Sequence, residues 1–202
     1  MLDLNLERTS WAKELWDIEL HKGQLDFIQN NNDFRFLTCK RGWGKSTLIA
    51  VDVTTWALMY PISQQIISCG SDHLNKIMYD NIQKFLQIAQ QNHLSKQRFP
   101  FLNDLEFKHD KIYIKNNSNH KYLIYVGDNT IGCETDRLFI DNANDLCLAD
   151  ISHYQFITKY LTLLGNNDYK DENYLYKSKL ETASSLVTKR CFNTADDRQK
   201  EE

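Results

Sequence analysis

The sequence is short of the residues that make chains flexible. Seven glycines and two prolines in 202 residues leave no long flexible linker. It also lacks an excess of positive charge: 24 Lys and Arg against 27 Asp and Glu give a net charge of −3. That excludes a highly basic protein coating nucleic acid by bulk charge, though not one with a local basic patch. No apolar run approaches the roughly 18 residues of a membrane-spanning helix. Asp3, Glu7, Glu14, Asp17 and Glu19 interrupt the segment where a signal peptide would carry an unbroken apolar run. The five cysteines, Cys39, Cys69, Cys133, Cys147 and Cys191, are odd in number, and no pair has C-x-x-C spacing. This pattern argues against a zinc knuckle or a disulfide scaffold. The expectation is reduced, mostly buried thiols, no membrane association and a cytoplasmic location.

What is present is a globular composition, 42% hydrophobic and 25% charged, sufficient for a core without disulfides. Residues 1–30 read as mostly helical, with Leu4, Trp11, Leu15, Trp16 and Leu20 forming an imperfect apolar stripe and Gly23 breaking the pattern. Asn30 to Asp33 is a loop by composition. Phe34 to Thr38 reads as a strand. Lys45 to Tyr60 reads as a helix apolar on most sides and therefore central, ended by Pro61. Gln65 to Cys69 is a second strand, and Ser71-Asp72 can cap the helix that follows. That helix carries Leu74, Ile77, Met78, Ile82, Phe85, Leu86 and Ala89 at 3–4 spacing. Lys111–Lys115 and Lys121–Val126 read as a hairpin around Asn116–Asn119, and Arg137–Asp141 as a further buried strand. The expected fold is α/β, a P-loop NTPase with a central, mostly parallel sheet flanked by helices and an added β-hairpin. The expected organisation is a helical lead-in over 1–20, one domain over 21–193, and a polar, disordered tail over 194–202.

The chemistry concentrates in Cys39-Lys40-Arg41-Gly42-Trp43-Gly44-Lys45-Ser46. A phosphate loop wraps phosphates with backbone N–H groups, reaches the β/γ oxygens with a lysine and ligates Mg²⁺ with a hydroxyl. Gly42 and Gly44 allow close backbone approach, Lys45 supplies the charge, Ser46 the hydroxyl, and the following helix its dipole. Trp43 and Thr47 complete the cofactor-binding segment. Cys39 stands where the first glycine of the full pattern belongs, but the apolar strand before the loop and the apolar helix after it supply the required context. Asp141, closing a second buried strand, is placed to share the metal with Ser46. The next residue is Asn142, where ATPases of this architecture commonly place Glu. An amide orients a water but cannot accept its proton. Asp145, Glu134 and Asp136 are the carboxylates nearby in sequence.

Taken together these residues resemble the ATPase domain of phage terminase large subunits, the motors that package viral DNA. The resemblance runs over roughly residues 20–146. It is carried by Lys40–Ser46, by Gln24 in Gly23-Gln24-Leu25-Asp26-Phe27-Ile28, by the run from Lys111 to Asp141, and by the strand, turn and helix of Gln65–Ala89. It implies ATP and Mg²⁺ as cofactors, Arg41 as a sensor of the γ-phosphate, Gln24 as reader of adenine, and Lys45, Arg41, Asp141 and Asn142 as the catalytic set. It implies double-stranded DNA as a backbone-directed partner, a portal, a small terminase subunit, a separate nuclease subunit, and the host cytoplasm as location. Lys177, Lys179, Lys189 and Arg190 are the basic residues available for DNA, and Thr182-Ala183-Ser184 is the nearest match to a coupling motif. The family's nuclease domain has no counterpart in the Asp spacing, so the chain reads as an isolated or truncated ATPase half. Two other readings stand beside this one: a nucleotide-binding module without turnover, which Asn142 favours, and a helicase-type ATPase, which expects Asp-Glu-x-His or Asp-Glu-x-Asp where Asp141-Asn142-Ala143-Asn144 stands.

Overall fold

A computed structural model describes residues 4–30, 32–39, 42–115, 122–128, 134–141, 154, 157–166 and 192–194, with the side chains of 4–7, 166 and 192–194 left aside. Eight strands form one sheet: β1 (Phe34–Cys39), β2 (Gln65–Ser68), β3 (Leu105–Lys108), β4 (Lys111–Ile114), β5 (Tyr122–Val126), β6 (Thr135–Ile140), β7 (Thr158–Asn166) and β8 (Phe192–Thr194). Their order is β3-β4-β5-β2-β6-β7-β1-β8. Every pairing from β5 to β8 is parallel, and only β3–β4 and β4–β5 are antiparallel. The expected α/β class with a mostly parallel sheet is what the chain adopts. The expected hairpin is β4–β5. It is extended by β3 into a three-stranded edge, and β5 is itself a parallel neighbour of β2, so the hairpin is continuous with the sheet.

The helices are α1 (Leu4–Trp16), α2 (Lys22–Gln29), α3 (Lys45–Met59), α4 (Asp72–Gln91) and α5 (His93–Arg98), followed by a short 3-10 helix, Pro100–Asp104. Gly23 does not break the helical lead-in. The break falls earlier, where Asp17 takes φ 54°, and Gly23 sits in the first turn of α2. Its lack of a side chain suits packing there, because a Cβ would come 3.4 Å from the Trp43 ring. Ser71 caps α4 as expected, its Oγ accepting from Leu74 N at 3.4 Å. The apolar stripe of α4 is buried at Met78, Ile82, Leu86 and Ala89, but Leu74 and Ile77 face outward. Asn75 takes the inward position in that turn, held by Cys69 N and Asp128.

Strand alternation divides the sheet into two faces. Arg35, Leu37 and Cys39 of β1, Arg137 and Phe139 of β6, and Thr162 and Leu164 of β7 lie on the face that carries α3. Phe34, Phe36, Ile66, Leu138, Ile140, Leu161 and Leu163 pack on the other. As its composition requires, α3 is central: residues 48–55, Ala57 and Leu58 are all buried. Among the described residues no helix is long and apolar enough to cross a membrane.

Candidate nucleotide-binding site

The parallel strands β1, β7 and β6 bring their carboxyl ends to one edge, the edge at which open α/β sheets hold ligands. β1 delivers the chain to the loop. Lys40 and Arg41 lie outside the described residues. Gly42 and Gly44 follow with φ of 82° and 89°, the left-handed region that excludes most side chains. Nothing stands within 4 Å of a Cβ built on Gly42. The first intrahelical bond of α3 runs from Leu48 N to Gly44 O at 2.9 Å. The preceding N–H groups, on Lys45, Ser46 and Thr47, therefore have no partner from the helix ladder, and they carry the positive end of its dipole. Ser46 and Thr47 are exposed at this end.

Lys45 leaves the first turn of α3 and meets Asp141 at the end of β6, Nζ to Oδ1 2.6 Å, with the two side chains only 13% and 10% exposed. β7 lies between β1 and β6, so the lysine, which follows the loop after β1, meets a carboxylate that follows the second strand away in the sheet order. Asp141 is fixed by its own backbone, whose N–H donates to Ser68 O at 2.8 Å. The structure thus brings together Gly42, Gly44, Lys45, Ser46, Thr47 and Asp141.

Gln24 also reaches the loop. Its Nε2 donates to Trp43 O at 3.2 Å, and its Oε1 accepts from His21 N at 3.2 Å. Two of the four hydrogen-bonding positions of the amide are so used. The Trp43 indole is buried beneath the loop, edge-on to His21 at a ring distance of 4.6 Å. Trp43 therefore presents its backbone, not its ring, to the loop.

Of the nearby carboxylates, Glu134 and Asp136 lie at the start of β6, at the opposite end of the sheet from Asp141. Asp136 Oδ2 accepts from Gln64 N there at 2.8 Å. Asn142, Asp145, Thr182-Ala183-Ser184 and the basic residues Lys177, Lys179, Lys189 and Arg190 lie outside the described residues. The strand that follows β6 in the chain ends at Asn166, in register with Cys39 of β1.

Sequence reasoning missed two features. The first is Asp128, just past β5, whose carboxylate accepts from Ser68 Oγ (2.6 Å), Gly70 N (3.1 Å) and Asn75 Nδ2 (2.9 Å). It braces the turn between β2 and α4 beside Asp141. Between these carboxylates lies Cys69, whose thiol is pushed up to about 12 by burial, then by the charges of Asp141 and Asp128, with Lys45 opposing.

The second is a buried charge knot. Asp52, midway along α3, receives Arg35 of β1 at 2.7 Å and Arg137 of β6 at 2.8 Å, and Arg8 of α1 closes on its other oxygen. Arg35 also donates to Thr162 Oγ1, and Arg137 to Gln65 Oε1 at 3.0 Å. Burial opposes ionisation of Asp52, but the guanidiniums of Arg137, Arg35 and Arg8 outweigh it and hold the carboxyl far below the usual range. A signal was available: single charges at positions 35, 52 and 137 inside runs that otherwise read as buried must find partners.

No family model matches the chain, and no curated protein matches it. Solved structures do. The large terminase of bacteriophage HK97 superposes with a TM-score of 0.64 at 15% identity, covering 91% of this chain and 42% of the terminase. The large terminase ATPase domain of Thermus phage P74-26 superposes with TM-scores of 0.56 for a mutant and 0.54 for a second structure, at 16% and 14% identity. Each covers 76% of this chain and 67% of that domain. The chain shares the fold of these ATPase domains and spans about two fifths of the HK97 protein.

Proposed function

We propose that this chain is a terminase-like, ATP-binding motor domain acting in the packaging or translocation of viral double-stranded DNA. The observation that carries the proposal is the Lys45–Asp141 pair, set at the N-terminus of α3 behind two left-handed glycines, on a sheet of terminase ATPase fold. Lys45 reaches the β/γ-phosphates, the backbone of Gly42 to Thr47 cradles them, and Gln24 reads adenine with the hydrogen-bonding positions that Trp43 and His21 do not use. Among the described residues no group of three or more His, Cys, Asp or Glu can hold a metal. One carboxylate and one hydroxyl, Asp141 and Ser46, nevertheless suit Mg²⁺, which binds through one or two carboxylates together with substrate phosphates and waters. Mg²⁺ when bound neutralises charge between the β- and γ-phosphates. Lys45 has three N–H donors, so it can turn one toward a phosphate while its pairing with Asp141 keeps both groups at the site.

The same proposal gives Arg41 contact with the γ-phosphate and Asn142 the orientation of the attacking water. DNA contact is directed at the backbone and is therefore independent of sequence. Portal, small terminase subunit and a separate nuclease subunit are the partners this role requires. A reading without turnover has one observation in its favour: Asn142 follows Asp141, and Glu134 and Asp136 stand at the far end of the sheet. ATP binding and steady-state hydrolysis, measured on wild type, Lys45→Ala and Asn142→Glu, separate these readings. The motor reading expects wild-type turnover that Lys45→Ala abolishes. Turnover only after Asn142→Glu leaves a binding module, and unchanged ATP affinity in Lys45→Ala removes the nucleotide site altogether.

A further inference from the structure

Lys45 and Asp52 are seven residues apart on α3, two helical turns or about 10.5 Å, and so point the same way. Arg137 stands on β6, and Asp141 follows four residues on, in the turn just past its end; both side chains meet residues of α3. α3 and β6 run in opposite directions. They are therefore joined twice, with reversed polarity: helix cation to strand anion at Lys45–Asp141, and helix anion to strand cation at Asp52–Arg137, 2.6 and 2.8 Å. The first pair lies at the site edge, and the second is fully enclosed. We infer that Arg137 is a positioning residue for the nucleotide site: through Asp52 it sets the register of α3 against β6, and so places Lys45 opposite Asp141. The inference rests on the nucleotide reading for its consequence, but not for its geometry.

The knot itself shows why Arg137 can be singled out. Three guanidiniums converge on one carboxylate, leaving two positive charges in excess in the core. Arg8 and Arg35 bind Asp52 to α1 and β1, whereas Arg137 alone of the three stands on β6. Removing Arg137 lowers the excess and leaves Asp52 doubly paired, whereas removing Asp52 leaves three cations without their anion. Burial lowers the basicity of Arg137 to about 9, with the attraction of Asp52 opposing and the repulsion of Arg35 and Arg8 adding to the effect. Its guanidinium lies over the Trp56 ring at 4.3 Å and the Phe139 ring at 4.7 Å, an apolar setting that methionine can fill.

The test compares wild type, Arg137→Met, Arg137→Lys and, as a control that also removes one cation from the knot but on α1, Arg8→Met. Cooperative thermal melting establishes that each folds. Solvent exchange of the Lys45 ammonium, followed by NMR in the ligand-free chain, reads the Lys45–Asp141 pair directly. Calorimetric ATP affinity, with and without Mg²⁺, reads its consequence. Arg137→Met should speed Lys45 ammonium exchange and cut the Mg²⁺-dependent part of ATP affinity by about 10- to 100-fold, as losses of supporting contacts do at metal sites. ATP binding in EDTA should change little. Arg137→Lys should recover most of the loss, and Arg8→Met should show none. Wild-type exchange and wild-type Mg²⁺ dependence in folded Arg137→Met overturn the inference, as does an equal effect from Arg8→Met. Should Arg137→Met not fold, Arg137→Gln, which also removes the charge but keeps a polar side chain, decides: wild-type exchange and wild-type Mg²⁺ dependence there overturn the inference. If wild type itself binds no ATP, the nucleotide reading fails, and Lys45 exchange still decides whether Arg137 sets the pair.

Discussion

Arg35 of β1 and Asp52 of α3 meet at 2.7 Å with side chains 5% and 0% exposed, inside a core that holds two further arginines. The arrangement makes the fold sensitive to acid. The carboxyl of Asp52 is held far below the usual range, because three guanidiniums outweigh the penalty of burial. Its folded value lies below its unfolded one, about 3.9. The stability it contributes is therefore fully present above pH of about 4 and is lost progressively as pH falls below that, toward the folded value. Asp52→Asn should destabilise the chain by about 3–5 kcal/mol at neutral pH, the cost of leaving buried cations unpaired. It should also flatten the loss of stability between neutral pH and pH 3. Urea melts at both pH values check this, and parallel pH slopes for wild type and variant would sink it.

Much of the fold was legible because its strands and helices obey local rules. β1 and β2, the central helix α3 and the amphipathic α4 follow from periodicity and from Ser71 as a cap. The loop was legible because Gly42, Gly44, Lys45 and Ser46 carry their chemistry in adjacent positions. What was not legible depends on contacts distant in sequence. β7 carries Leu161, Leu163 and Leu164, all buried, but the Tyr- and Asn-rich residues around it conceal that short apolar signal, and its place between β1 and β6 is set by pairings distant in sequence. The knot joins positions 8, 35, 52 and 137, and nothing local pairs them. Leu74 and Ile77 fit the stripe of α4, yet Asn75 takes the inward place because Asp128, far along the chain, supplies its partner. Gln24 resembles an adenine reader in the sequence alone, and its geometry adds a role in holding Trp43 through the backbone carbonyl.

Cys69 gives a probe of the site edge. Its thiol is pushed up to about 12 by burial and by the charges of Asp141 and Asp128. Only the thiolate is alkylated, so at pH 8 almost none of Cys69 is reactive in the folded chain. Brief treatment with iodoacetamide at pH 8 should leave Cys69 unmodified, and the same treatment in denaturant should modify it fully, as read by peptide mass mapping. Modification in the native chain at the denatured rate would contradict the environment described for this residue.

The two loop glycines should differ in what they tolerate, and the difference isolates Gln24. Both have positive φ, so alanine at either carries a backbone cost of about 1–2 kcal/mol. At Gly42 that is the whole cost, because the space beside it is open. At Gly44 a Cβ would stand 2.8 Å from Gln24 Nε2. Gln24 must then swing away and give up its bond to Trp43 O, a further loss of about 0.5–1.5 kcal/mol. Gly44→Ala should therefore destabilise the chain more than Gly42→Ala. In a Gln24→Ala background, where neither clash nor bond exists, the two should cost the same. A double-mutant cycle by chemical denaturation measures the difference. Equal costs in the wild-type background would show that the Gln24 amide does not restrain the loop. A difference that persists after Gln24→Ala would place its origin in the backbone of Gly44 alone.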